Sequence, residues 1–167
     1  FVCSCIRPAT VCGYSRRQRF DLVVNILTNH AYNNKEIKIF GGNQLRPNIH
    51  ITDMCNSYLC MLEADKNLIN GEAFNVGFEN HSVNKLGDII NQSLGGVVKI
   101  HKVPSNDDRS YHISSKKISN ILGFAPNFTI QDAVVDIKRA FENKLFKDPL
   151  SNEMYFNIKR MKSINLV

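Results

Sequence analysis

Apolar residues follow two different periods along this chain, and the alternation between the periods sets its architecture. Phe20, Val23, Val24, Leu27 and Ala31 recur at spacings of three and four, which predicts a helix over 19–33. A second helix is predicted after a cap at Thr52 or Asp53, with Cys55, Leu59 and Leu62 as its inward stripe. A third follows Ser82, turns Leu86, Ile89, Ile90 and Leu94 inward, and stops at Gly95-Gly96. A short helix capped by Ser114 or Ser115 ends at Gly123. A last one follows Thr129 and carries Ile130, Ala133, Val134, Ile137 and Phe141. Between the helices lie short extended runs: 1–7, Glu36 to Phe40, Pro47 to Ile51, Phe74 to Gly77 and Val97 to Val103. Residues 8–18 read as a loop, Gly41-Gly42-Asn43 as a turn, and 144–167 as a basic tail.

Strands alternating with helices define the class as α/β. The strands are few and short. The first, Val2 to Ile6, has the small apolar and β-branched make-up of a buried strand and runs straight into Arg7-Pro8. A doubly wound sheet needs more central strands than these. The chain therefore reads as the C-terminal part of such a sheet plus a small appended α/β subdomain, with the remaining strands expected upstream of Phe1. Residues 1–145 would form this unit and 146–167 the tail.

Composition narrows the function classes. With 43% apolar and 22% charged residues, 167 residues suffice for one real core and argue against disorder. No apolar run approaches the roughly 20 residues of a membrane helix. Five cysteines without a CxxC pair read as reduced core thiols in a cytoplasmic protein. The net charge of +6 is dispersed, apart from Arg16-Arg17-Arg19, so a nucleic-acid partner is not expected.

Two segments could carry chemistry. In GGNQLRPNIHITDM (41–54) a glycine turn leads to Arg46, whose guanidinium matches phosphate oxygens. From these residues alone, Arg46 is either such a clamp or a surface arginine at a turn. Asp53 reads as a helix cap and His50 as a structural histidine. In PSNDDRSYHISSKKISNILGF (104–124) a polar loop holds Asp107, Asp108, Arg109 and Tyr111. Arg109 is a second candidate for an anionic ligand, or the partner of a local aspartate on a solvated loop. There is no GxGxxG, Walker A, G-x-S-x-G or HExxH motif and no metal-type Cys/His cluster. Tyr14, Tyr32, Tyr58 and Tyr111 have no lysine four places on, and no catalytic tyrosine is assigned to this chain.

RPATVCG, RFDLVVNILTNHA, EIKIFGGNQLRPNIHITDM, AFNVG and DDRSYHISSKKISNILGF occur here in that order. Together they resemble the C-terminal half of the extended short-chain dehydrogenase/reductase family, in its NAD-dependent epimerase/dehydratase branch, which acts on nucleotide-diphosphate sugars. The resemblance implies a Rossmann-type sheet with a substrate-binding subdomain and NAD, or NADP, as cofactor. It places Pro8, Ala9 and Thr10 beside the nicotinamide, although Cys12 and Tyr14 depart from the family's usual V-Y-G-P. It places Asn25 near the sugar nucleotide, Ile39 and Phe40 along the base, and Arg46 and Arg109 on the diphosphate. The glycine-rich turn for NAD and the catalytic Tyr-x-x-x-Lys lie upstream of Arg7-Pro8 in the family, so this chain is expected to be inactive alone. Such a half-fold should be marginal or homo-oligomeric. The alternative is a stand-alone, non-catalytic binding or scaffold module derived from that fold.

Overall fold

A computed structural model describes residues 1–106 and 109–166 of the chain. The predicted α/β alternation is present. Its elements are β1 (Cys5–Pro8), β2 (Thr10–Cys12), α1 (Val23–Asn34), β3 (Glu36–Phe40), β4 (Leu45–His50), α2 (Ile51–Glu63) and α3 (Lys66–Ile69). They continue with β5 (Ala73–Val76), β6 (Glu79–Ser82), α4 (Val83–Ser93), β7 (Lys99–Val103), α5 (Lys116–Leu122), α6 (Ile130–Glu142) and α7 (Asn157–Ser163). The strands form three small sheets: β1 beside β5, β2-β4-β6, and β3 beside β7. All pairs are parallel except β4–β6, where Arg46 lies opposite His81 and Asn48 opposite Glu79.

Two apolar cores sit between these layers. One joins α1, β3, α4 and α6 through Val24, Leu27, Ile37, Ile39, Leu86, Ile90 and Val134. Gly87 packs closely there: a Cβ on it would stand 2.5 Å from Ile39 Cδ1, so a larger residue would force that side-chain end to move. The other joins β1, β4, β5, α2 and α5 through Ile49, Met54, Met61, Phe74, Val76 and Ile118.

The predicted caps of α4 and α6 are present. Ser82 Oγ accepts from Lys85 N at 3.2 Å. At α6, Thr129 Oγ1 accepts from Asp132 N at 3.3 Å while the Asp132 carboxylate accepts from Thr129 N at 2.7 Å, a closed capping box. Four expectations need correction. First, β1 is largely exposed rather than buried, because it pairs on one side only, with β5. Second, α2 buries Asp53, Met54, Ser57 and Met61, leaving Cys55, Leu59 and Leu62 outward. Third, its cap is His50, whose Nδ1 accepts from Thr52 N at 3.1 Å; no side chain of Thr52 or Asp53 serves. Fourth, Cys12 alone among the five cysteines is buried; Cys3, Cys5 and Cys55 are exposed and Cys60 is intermediate.

The tail is built into the fold. Phe146 and Tyr155 pack edge-on against Phe20, which stacks on Phe141 of α6 at 5.7 Å. Tyr155 O accepts from Phe20 N at 2.8 Å, and Asn29 of α1 donates to Pro149 O at 2.9 Å. Among the described residues no helix is long and apolar enough to cross a membrane.

Candidate functional site

The strand β3 alternates outward and inward residues, so Ile37 and Ile39 enter the core while Glu36, Lys38 and Phe40 form an outer row. The helix α1 runs back along this row and presents Val23, Ile26, Leu27, His30 and Asn34 to it. Between them is a cleft of about 430 Å³, completed by Gln44, Arg46 and Val83. Val23, Ile26, Leu27 and Val83 give it apolar wall. Its polar lining is Gln44 and Arg46 beyond the Phe40 end of β3, Asn34 and Glu36 where α1 turns into β3, and His30 and Lys38 between them. Burial, and then the charge of Lys38, hold the His30 imidazole below its ordinary pKa, which favours the neutral ring.

Arg46 stands at the start of β4, and its surroundings explain its position. Its guanidinium donates to Leu45 O at 2.9 Å and to the Arg109 carbonyl, and it lies 5.8 Å over the Tyr111 ring. Leu45 N donates to Ser110 Oγ at 2.9 Å, so residues 109–111 are tied to the start of β4. The backbone of Arg109 is thereby held beside the Arg46 guanidinium. The aspartate partners considered for Arg109, Asp107 and Asp108, lie outside the described residues.

The other predicted site residues are distributed as follows. Phe40 is 55% exposed and lines the cleft. Ile39 lies behind it in the core, 1% exposed. Asn25 is buried and spent on the preceding loop, accepting from Gly13 N at 3.2 Å and donating to Arg19 O at 2.9 Å. Pro8, Ala9 and Thr10 lie where β1 gives way to β2; Pro8 is exposed, Thr10 half-buried and Ala9 buried. Ala9 N donates to Val76 O at 2.7 Å, and a Cβ on Gly77 would come within 2.9 Å of Ala9 Cβ. This exposed end of two parallel strands fits one flat wall of a cofactor site, as ligands sit at the carboxyl ends of such strands. These residues offer no phosphate cradle.

His50 and Asp53 are structural. The Asp53 carboxylate, fully buried, accepts from Asn127 N at 3.0 Å and Phe128 N at 2.8 Å, which anchors the loop before α6 to α2. His50 Nε2 is 3.3 Å from an Asp136 oxygen without a well-aligned hydrogen bond. Sequence reasoning passed over His30, Asn34, Glu36, Lys38 and Gln44, although the alternation of β3 already placed Glu36 and Lys38 on the face of Phe40. It also overlooked one Tyr-x-x-x-Lys spacing, Tyr155 to Lys159. That pair spans a 3₁₀ turn and the start of α7, with Tyr155 OH accepting from Lys147 N at 3.3 Å and Lys159 lying over Phe156. The two groups are engaged apart from each other and do not form an acid–base pair.

Residues 1–77 match the model of the NAD dependent epimerase/dehydratase family. The recognition made from the ordered motifs thus holds. Solved structures extend the likeness along the chain. It resembles dTDP-glucose 4,6-dehydratase from Bacillus anthracis, in complex with NAD, at 22% identity and a TM-score of 0.72 over 87% of this chain and 47% of that one. It resembles UDP-glucose 4-epimerase from Thermotoga maritima, with UDP-glucose, at 24% identity and 0.70 over 84% and 46%. UDP-glucuronic acid 4-epimerase from Bacillus cereus gives 24% and 0.71 over 86% and 46%. The fold is therefore that of these enzymes, and the chain spans a little under half of their length.

Proposed function

We propose that this chain is the substrate-binding portion of an NAD-dependent nucleotide-diphosphate-sugar epimerase or dehydratase, with NADP the alternative cofactor. One observation carries the reading: an apolar cleft, sized for a nucleoside, that opens beside Arg46 where Arg109 is tied. The base lies along Phe40. The diphosphate meets the two guanidinium groups, whose fork geometry suits phosphate oxygens. Its charge is the same before and after reaction, so these arginines hold and orient the substrate and leave the barrier to other groups. Asn25 and Ile39 act indirectly, the one shaping the loop into α1 and the other seating β3.

The register supports a place for the sugar. Thr10 lies opposite Asn48, two residues beyond Arg46 on the neighbouring strand. Strand spacing and rise put the Thr10 and Arg46 backbones about 8 Å apart, a span that takes one sugar ring between the arginine and Pro8-Ala9-Thr10. Those three residues would wall the nicotinamide side, excluding water from one face. NAD, when bound, supplies the hydride acceptor and donor of this class of reaction.

The test is calorimetric titration of the chain with UDP and with uridine. Arg46→Met and Arg109→Met should each weaken UDP about tenfold or more and leave uridine nearly unchanged. Equal UDP affinity in wild type and both variants would overturn the reading. The exposed apolar face formed by β1 and α2 favours a second reading, in which the chain self-associates as a non-catalytic binding module. Epimerase or dehydratase activity from the chain by itself would exclude that module.

A further inference from the structure

The cleft has a direction. α1 ends at Lys35, whose left-handed backbone (φ 58°) reverses the chain straight into β3 at Glu36. The cleft is therefore closed by its own connection at the Glu36 end and open at the Phe40 end, next to Arg46. Along β3 it runs about 13 Å from Glu36 to Phe40 at the usual rise of a strand. Val23, Ile26, Leu27 and Val83 supply apolar wall along this run, which suits a flat apolar ring face. Glu36 at the closed end of the cleft and Lys38 halfway along it are polar, and nothing in the proposed function yet uses them.

Its groups have fixed hydrogen-bonding senses. Lys38 can only donate, and ionised Glu36 can only accept. Asn34 Nδ2 lies 3.2 Å from His30 Nδ1, within hydrogen-bond reach. Glu36 is half-exposed, with His101 Nε2 3.4 Å from its Oε2 on the neighbouring strand, and it lines the cleft. Lys38 and Glu36 are alternate residues of one strand and face the same way.

We propose that Lys38 and Glu36 read the edge of the nucleotide base and select one that carries a carbonyl beside a ring N–H. This rests on the cleft being the nucleotide site. Uracil, thymine and guanine present that edge. Cytosine and adenine present an amino donor beside a bare ring nitrogen, which would set donor against Lys38 and acceptor against Glu36. A site built to hydrogen-bond one pattern rejects the inverted one because its own polar groups are left unpaired.

The experiment titrates the chain with UDP, GDP, CDP and ADP. Wild type should bind UDP and GDP about tenfold or more tighter than CDP and ADP. Lys38→Met and Glu36→Gln should each bring the UDP-to-CDP ratio toward one. Both side chains are on the exposed row of β3, so folding should survive, and the ratio is insensitive to a general loss of binding competence. Arg46→Met should weaken all four ligands and leave the ratio as it was. Equal wild-type affinity for UDP and CDP, or a ratio unmoved in both variants while Arg46 still matters, overturns the base-reading role alone. Loss of the Arg46 dependence overturns the nucleotide site itself and this inference with it.

Discussion

The α6 side of the molecule and the α2 side carry the same kind of sequence signal and end differently. On α6 the stripe Ile130, Ala133, Val134, Ile137 is buried to 2% exposure or less. On α2 the stripe that periodicity selects is left outside, with Leu59 at 55% and Leu62 at 81% exposure. Its buried face instead includes Asp53 and Ser57. Periodicity reports that a helix has an apolar side; it does not weigh that side against a polar group with a buried partner. Asp53 has such partners in the amides of Asn127 and Phe128, and it is buried on the same face as Met54 and Met61.

Removing the best-partnered ring on the α6 side should have the largest effect. Phe20 is fully buried against Phe141, Phe146 and Tyr155. Phe20→Ala should cost about 3–5 kcal/mol, read as a lower urea midpoint at unchanged slope, and should release the tail to proteolysis. On the α2 side the corresponding weak point is polar. Asp53→Ala leaves two buried amides unsatisfied and should cost about 2–3 kcal/mol. A loss under about 0.5 kcal/mol would mean that the Asp53 contacts do not set the orientation of α2.

The same contrast explains what was legible in the residues. Helices with a hydroxyl cap and an apolar stripe, α4 and α6, were readable because cap and stripe agree. The strand β3 was readable from Glu36-Ile37-Lys38-Ile39-Phe40, and with it half of the cleft wall. Arg46 was readable as a candidate; that the Arg109 backbone lies beside it depends on Ser110 and Tyr111 pairing with Leu45, a long-range contact without local signal. The exposure of β1 was not readable either, since burial depends on what stands beside a strand and its own residues cannot report that. β2 and β6 are three and four residues long, too short for any period to show.

A smaller effect isolates the cap that helps hold α6. Hydrogen bonds from the Thr129 hydroxyl, then its amide, keep the Asp132 carboxyl below the usual carboxylate range. A folded pKa below the unfolded one contributes stability that is present above the unfolded value, near 4, and lost as pH falls through the folded value. Asp132→Ala should therefore cost about 1 kcal/mol at pH 7. The urea midpoints of variant and wild type should converge as the pH is taken from about 4 downward. A gap that stays constant from pH 7 into acid would place the effect in helix propensity and not in the charged cap.

The smallest expected effect is the most informative about the α2 side. Leu62 is so exposed in the monomer that Leu62→Ala removes little buried surface, and the change in stability should stay within about 0.5 kcal/mol. That holds only while water is what Leu62 touches. Val2, Ile6, Tyr58 and Leu62 line one shallow groove of about 590 Å³, and a second copy lying there would bury the same leucine. The two cases separate by concentration. A monomer with a bare α2 face gives the same small difference at any protein concentration. An association through that face gives a wild-type midpoint that climbs with concentration and a variant whose midpoint climbs less, because only the associated form loses a buried side chain.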